Sequence, residues 1–262
     1  HLGFFGIGGS KIDYKVERFL KDGKFPYAIG YGLTETSPLL AAAGMPLTYP
    51  GTIGPVVNGV ELKILDPDPK TGIGEVIAKG ANVMKGYYKE SQMTAAAFTT
   101  ENDSVGPGWF KTGDLGILKK IHGIERLALK GRAKTMILGA AGENIYPEDI
   151  EFVLNQHPLV NESLVVEDDK GLVALLSLDE EKIKEEIKKR LASLNVAKEQ
   201  FIRDIAYKRE EILSEIQFFV NSKVNRSSKI NRIEEVKEFE KTATQKIKRY
   251  IYDLRTKVGK KK

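Results

Sequence analysis

Residues Tyr31 to Pro38 (YGLTETSP) bring an aromatic ring, a glycine, hydroxyls and a carboxylate into one short stretch. A nucleotide could use all of them: the ring for a base, the hydroxyls for phosphate oxygens, and Glu35 for the Mg²⁺ that accompanies polyphosphate. A plain turn between a strand and a loop uses the same residue types, and the octapeptide alone does not separate the two readings. Other polar, Gly-bearing segments share this ambiguity: GIGGS (Gly6 to Ser10), GEVIAKGANVMKGYY, GWFKTGDLG, KGRAKTMILGAAGENIYPEDIE and KTATQKIKR. GIGGS lacks the spacing of a dinucleotide fingerprint and reads by itself as a strand-ending turn. Asp114 in TGD could close an Asx turn, Arg132 in KGR could be a surface cation, and Lys246 could be one solvated lysine among many.

These residues need elements to hold them. Residues 1–50 alternate a strand (LGFFGI), a helix (DYKVERFLK, with Val16, Phe19 and Leu20 on one face), a second strand (YAIGYG) and a polar loop, the pattern of an α/β unit at the edge of a larger sheet. From Gly51 to Leu129, short runs such as VELKIL, GEVIAKG and RLALKG between Gly, Pro and Asp turns predict small antiparallel strands in a barrel or distorted sheet, with no long helix. A Gly-Arg turn and a β pair follow. Pro147 then opens a helix whose first turn carries Glu148 and Asp149, the charge sign that suits a helix N-terminus. A domain boundary is expected near Lys134, with 1–133 ending a large domain and 134–262 forming a small one. Beyond it come strands ESLVVED and GLVALLSL, then helical spacing at Ile183, Ile187, Leu191 and Leu194 and at Phe201, Ile205, Ile212 and Ile216. Ile247 to Leu254 is expected as a short amphipathic helix and the final GKKK as disordered.

Composition narrows the function classes. The 262 residues contain no cysteine and three scattered histidines, which excludes disulfides, thiolate metal sites and a Cys nucleophile and disfavours a His-based metal site. No apolar run reaches membrane-spanning length. The net charge of +5 is concentrated from Lys241 onward, where nine Lys or Arg accompany one Asp. That tail lacks a recognition motif or a basic face, so nucleic acid is not expected as a partner. The opening HLGFFGIGGS reads as the interior of a strand, and the expectation is a fragment of a longer, cytoplasmic protein, membrane association being the alternative location.

The order and content of these segments resemble the adenylate-forming superfamily, which includes acyl-CoA synthetases, luciferases and nonribosomal peptide adenylation domains. The likeness runs over nearly the whole chain, with five motifs in the family's order. AAGENIYPEDIE and FEKTATQKIKR resemble bacterial long-chain acyl-CoA synthetases most. The resemblance implies an α/β fold made of the C-terminal part of a large domain, with a small β-barrel, followed by a mobile α+β domain. It implies ATP, Mg²⁺ and CoA as cofactor and co-substrates, and a fatty acid as substrate. Gly8, Gly9 and Ser10 would bring backbone close to the adenine and the reacting carboxylate. Tyr31 would stack on adenine, Gly32 would make room, and Leu33 would belong to the same nucleotide-binding stretch. Thr34 would donate to the α-phosphate or carboxylate, and Glu35 would bind Mg²⁺. Asp114 would accept from both ribose hydroxyls and Arg132 would add a second contact.

Lys246 would place an ammonium on the charge that develops when a carboxylate attacks the α-phosphate. Lys134 would be the hinge about which the small domain turns, and Ala141, Gly142, Glu143 and Asn144 would line the CoA path. Two residues depart from the family text: Gln245 precedes the lysine where Gly is common, and Glu238 replaces a proline. The family's Ser/Thr/Gly-rich phosphate loop is absent from the sequence, and the family places it N-terminal to everything present, in a missing N-terminal half. An acyl-carrier-protein synthetase, or another acid:CoA ligase, fits the same motifs. Outside enzymes, a nucleotide- or anionic-surface-binding module with a lipid-docking tail is the remaining alternative.

Overall fold

Alternating burial along Tyr27–Gly32, with Tyr27, Ile29 and Tyr31 inward, marks the strand on which the first part of the chain is built. The computed structural model describes residues 3–252 apart from 10, 11, 13, 140, 141, 193–197 and 244, and only the backbone of 190–192 and 198–206. The chain forms two compact units, His1–Lys134 and Thr135–Lys262.

In the first unit, strand β1 (Phe5–Ile7) runs parallel to β2 (Tyr27–Gly32), and helix α1 (Tyr14–Asp22) connects them. A tight turn then leads to β3 (Leu39–Gly44), antiparallel to β2, in a stretch expected as polar loop. Its Leu40, Ala41 and Ala43 are buried, so small residues that signal no strand by propensity pair because packing favours them. Val16, Phe19 and Leu20 share one face of α1, as expected; on it Val16 and Phe19 are 50% and 76% exposed in this chain, whereas Glu17 is 1% exposed. Glu17 accepts from Tyr27 Oη at 3.3 Å and from the Gly51 amide at 2.8 Å, and Lys21 Nζ donates to the Pro46 carbonyl at 3.0 Å. The helix therefore turns its polar side to the loop around 45–51, whose backbone groups need partners.

Strands β4 (Val60–Leu65), β5 (Gly74–Gly80), β6 (Phe110–Ile121) and β7 (Ile124–Arg132) form an antiparallel sheet in that order. A six-residue helix, α2 (Ser91–Ala96), lies between β5 and β6. Of the two forms expected, barrel or distorted sheet, the described residues give the open sheet, with isolated bridges Ala41↔Val56 and Gly54↔Leu127 tying its edge to β3. Tyr31, Leu40, Ala41, Val76, Ala78 and Leu127 share one core.

In the second unit, the short pair β8 (Ile137–Leu138) and β9 (Asn144–Ile145) precedes α3 (Pro147–Leu154). Strands β10 (Val160–Asp168) and β11 (Gly171–Leu178) form a hairpin, α4 (Glu180–Ala192) and α5 (Lys198–Asn221) follow, and β12 (Arg232–Glu235) pairs in parallel with β11. Leu172, Ala174 and Leu176 join the core under α3 and α5, while Val173 and Leu175 pack with Phe239 on the opposite face. A strand covered on both faces needs a continuous apolar run, which is how GLVALLSL reads. Ile183, Ile187, Ile212 and Ile216 are buried at the expected helical spacing, while the side chains of Leu191, Phe201 and Ile205, and Leu194 entirely, lie outside the described residues.

Of the helix expected over 247–254, residues 253 and 254 lie outside the described residues, and the rest is extended backbone at Ile247, bridged to Lys241, and one 3-10 turn at Arg249–Ile251. Ile247 packs on the Leu164–Phe239 cluster. The final GKKK lies outside the described residues.

Candidate functional site

The TGD segment sits inside β6, and its geometry is set by three backbone-directed contacts. Thr112 is buried and donates to the Val76 carbonyl at 2.7 Å, its oxygen accepts the Asp114 amide at 3.1 Å, and the Gly113 amide donates to Glu75 Oε1 at 2.9 Å. Gly113 has φ +72°, a left-handed value that glycine adopts without a Cβ penalty. The ladder then places Asp114 directly across from Arg132 on β7.

Asp114 Oδ1 lies 3.0 Å from Arg132 Nε, and its Oδ2 accepts the Tyr31 hydroxyl at 2.7 Å from β2. The carboxylate is thus held between a guanidinium and a phenol rather than closing an Asx turn. Burial, and next the Asp114 charge, push the Tyr31 phenol well above its usual range, so it donates at every ordinary pH. A carboxylate has about four lone-pair positions and can accept from several donors at once. The Asp114 side chain is 10% exposed and that of Arg132 54%.

Tyr31 differs from a free stacking platform: it is 8% exposed and its ring belongs to the core. The residues after it leave the sheet in a turn that is heavily pinned. Leu33 N donates to the Pro38 carbonyl at 3.0 Å, Thr36 is fully buried with its hydroxyl in the turn, and Asn82 Nδ2 donates to the Thr36 and Leu39 carbonyls at 2.8 and 2.9 Å. Gly32 is required here, since a Cβ would lie 1.6 Å from the Pro38 oxygen. The pinning leaves Thr34 exposed and Glu35 half-buried. Glu35 Oε1 accepts the Tyr87 hydroxyl at 3.1 Å, and the Glu35 carbonyl accepts the Met84 amide at 2.7 Å. Tyr87 and Asn82 carry no role in the sequence reading. The signal was the segment GEVIAKGANVMKGYY, noted for its glycines but not matched to a partner.

Gly8 and Gly9 are exposed just past β1, with Gly9 at φ +78°. Because β1 and β2 are parallel, this loop and the 33–38 turn leave the sheet at the same edge, the carboxyl ends where α/β sheets bind ligands. Ser10 lies outside the described residues, and Lys134 is exposed after the end of β7.

In the second unit, Lys246 is exposed on a loop closed by the Lys241↔Ile247 bridge. Thr242 N donates to the Lys246 carbonyl at 2.8 Å, and Gln245 holds φ +63°, the conformation in which a glycine would be unstrained. Three residues on, Arg249 pairs with Glu151 of α3. Burial pushes Glu151 up to about 7, against the Arg249 guanidinium and the Val165 amide, which pull it down. Gly139 N donates to the Glu143 carbonyl at 2.8 Å, and the Glu143 side chain folds back over Gly139. Gly142 has φ +80°, Asn144 is exposed on β9, and Ala141 lies outside the described residues.

Among the described residues, no group of three or more His, Asp or Glu side chains could hold a metal alone. Glu35, one half-buried carboxylate with an oxygen beyond the Tyr87 contact, suits instead a hard ion that takes most of its ligands from phosphate and water.

A family model described as AMP-binding enzyme matches residues 1–88. The chain is 35% identical over 175 residues to the long-chain-fatty-acid–CoA ligase FadD15 of Mycobacterium bovis, covering 66% of this chain and 26% of that ligase. It is 35% identical over 213 residues to the 2-succinylbenzoate–CoA ligase of Bacillus licheniformis, covering 73% and 41%. The fold matches that of the O-succinylbenzoate coenzyme A synthetase MenE of Bacillus subtilis, crystallised with AMP, with a TM-score of 0.68 and 24% identity over 96% of this chain and 46% of that one. The chain spans about a quarter of the length of FadD15 and under half that of the MenE structure. Similar proteins include acyl- and aryl-CoA ligases, and residues 1–88 of the chain belong to the AMP-binding enzyme family.

Proposed function

We propose that this chain is the C-terminal part of an ATP-dependent ligase that joins a long-chain fatty acid to CoA through an acyl-adenylate. The observation that carries the reading is the Asp114 carboxylate clamped between Tyr31 and Arg132, next to the pinned turn that presents Thr34 and Glu35. In this reading Asp114 accepts the ribose hydroxyls, and Arg132 adds donors at the same sugar or its phosphate. Thr34 donates to the α-phosphate. Glu35 is the residue that would hold Mg²⁺, which supplies neutralisation of phosphate charge.

Lys246 supplies the cation for the anion-on-anion attack of carboxylate on phosphorus, a contribution of several kcal/mol when preorganised. The small unit carries that lysine and the Gly142–Asn144 turn, which serve adenylation and thiol attack respectively, with Lys134 as the hinge. The preference for long chains is drawn from the GENIYPEDIE and FEKTATQKIKR text and from the likeness to FadD15.

The test is acyl-CoA formation from palmitate, ATP and CoA by the full-length protein, with short and aryl acids as competing substrates and acyl carrier protein as competing thiol. The expected result is palmitoyl-CoA with matching AMP release, abolished by Lys246→Ala. Preference for an aryl or short acid, or for the carrier protein, would overturn the substrate assignment. The 262-residue chain alone is expected to make none, because it lacks the phosphate loop.

A further inference from the structure

The segment between β5 and β6 touches the 33–38 turn at three points, two through backbone or amide contacts and one through a phenol. Asn82 holds the Thr36 and Leu39 carbonyls, Met84 N holds the Glu35 carbonyl, and Tyr87 reaches the Glu35 carboxylate itself. The position of Tyr87 is built in turn. Its amide donates to Thr94 Oγ1 at 2.9 Å, the Thr94 hydroxyl donates to the Glu90 carbonyl at 2.8 Å, and Gly86 is at φ +152° with Thr94 so close that a Cβ would lie 2.6 Å from its methyl. The next residue, Tyr88, is 86% exposed. Two adjacent tyrosines therefore have opposite environments, and the one that faces inward points at the carboxylate.

We infer that Tyr87 is a positioning residue for Glu35, fixing it as a one-oxygen ligand for the Mg²⁺ of the nucleotide; this rests on the reading of Glu35 as that ligand. The phenol takes one lone pair of Oε1, so Oε2 is the less encumbered oxygen and the one that would meet an ion. One-oxygen binding suits Mg²⁺, which keeps near-octahedral geometry with phosphate and water, whereas two-oxygen binding suits larger ions. The hydrogen bond also removes carboxylate rotamers that would have to be frozen on ion binding. Second contacts of this kind are typically worth 10–100-fold in metal affinity.

The experiment uses the full-length protein with a non-hydrolysable ATP analogue and Mn²⁺ as a paramagnetic probe, displaced by Mg²⁺ and read by electron paramagnetic resonance. Tyr87→Phe keeps the ring and is expected to weaken Mn²⁺ and Mg²⁺ about tenfold, with metal-free AMP affinity unchanged. Tyr88→Phe is expected to match wild type. Metal affinity in Tyr87→Phe within twofold of wild type, while Glu35→Gln weakens it, would overturn the role of Tyr87 alone. Unchanged affinity in both variants would overturn the reading of Glu35 and this inference with it.

Discussion

At the scale of single residues, the site is a carboxylate whose orientation is decided before any ligand arrives. Asp114 is fixed by Tyr31 at 2.7 Å and Arg132 at 3.0 Å, so the entropy of aiming it is spent in folding. Hydrogen bonds to a charged group contribute about 1.5–3 kcal/mol each. Tyr31→Phe is therefore expected to weaken AMP binding about tenfold, on the assumption that roughly half of such a bond is passed on to the ligand. A calorimetric titration checks this, and unchanged affinity would show that Arg132 alone positions Asp114. The residue types Tyr, Asp and Arg were legible in the sequence as motif text, but not their mutual contact. That contact joins positions 83 residues apart, and no local pattern encodes it.

At the scale of elements, backbone geometry sets what the sequence tolerates. Gly32→Ala would drive a Cβ into the Pro38 carbonyl, and the expected cost is about 3 kcal/mol or more, because backbone rather than a flexible side chain must move. Urea unfolding measures it, and a change under about 1 kcal/mol would contradict the tightness of the turn. Gln245 is the opposite case: it holds a left-handed conformation that costs a non-glycine residue about 1 kcal/mol. Gln245→Gly relieves that strain but frees the unfolded chain by a similar amount, so stability is expected to change little, while Gln245→Val is expected to lower it.

Elements also show where local reading stops. The β11 run and the buried isoleucines of α4 and α5 followed periodicity, because a covered strand and a helix face bury side chains in regular order. Helix α1 followed it as well, but its periodicity says nothing of the other side, where Glu17 and Lys21 satisfy backbone groups of the loop at 45–51. At 247–252 the apolar residues serve packing that a helical pattern does not show: Ile247, bridged to Lys241, and Tyr252 both pack on the core around Phe239.

At the scale of the whole molecule, pH acts on the second unit through Glu151. Its carboxyl is raised in the folded state to about 7, so the folded chain binds the proton more tightly than the unfolded one. The stabilisation from that proton is complete in the acid range below the ordinary carboxylate value and is lost as pH rises through about 7. Glu151→Gln keeps an acceptor for the Val165 amide and is expected to flatten this decline. Urea denaturation midpoints between pH 5 and 8 measure the slope, and a decline as steep in the variant would contradict the assignment.

The proposed function makes one demand of all these scales together: that the clamped carboxylate reads a ribose. The most direct measurement is a calorimetric comparison of AMP with 2′,3′-dideoxy-AMP on the full-length protein, wild type and Asp114→Ala. Wild type is expected to favour AMP at least tenfold, from two charge-assisted hydrogen bonds, and Asp114→Ala to bind both ligands equally weakly. Equal binding of the two by wild type, or full discrimination retained by Asp114→Ala, would contradict it.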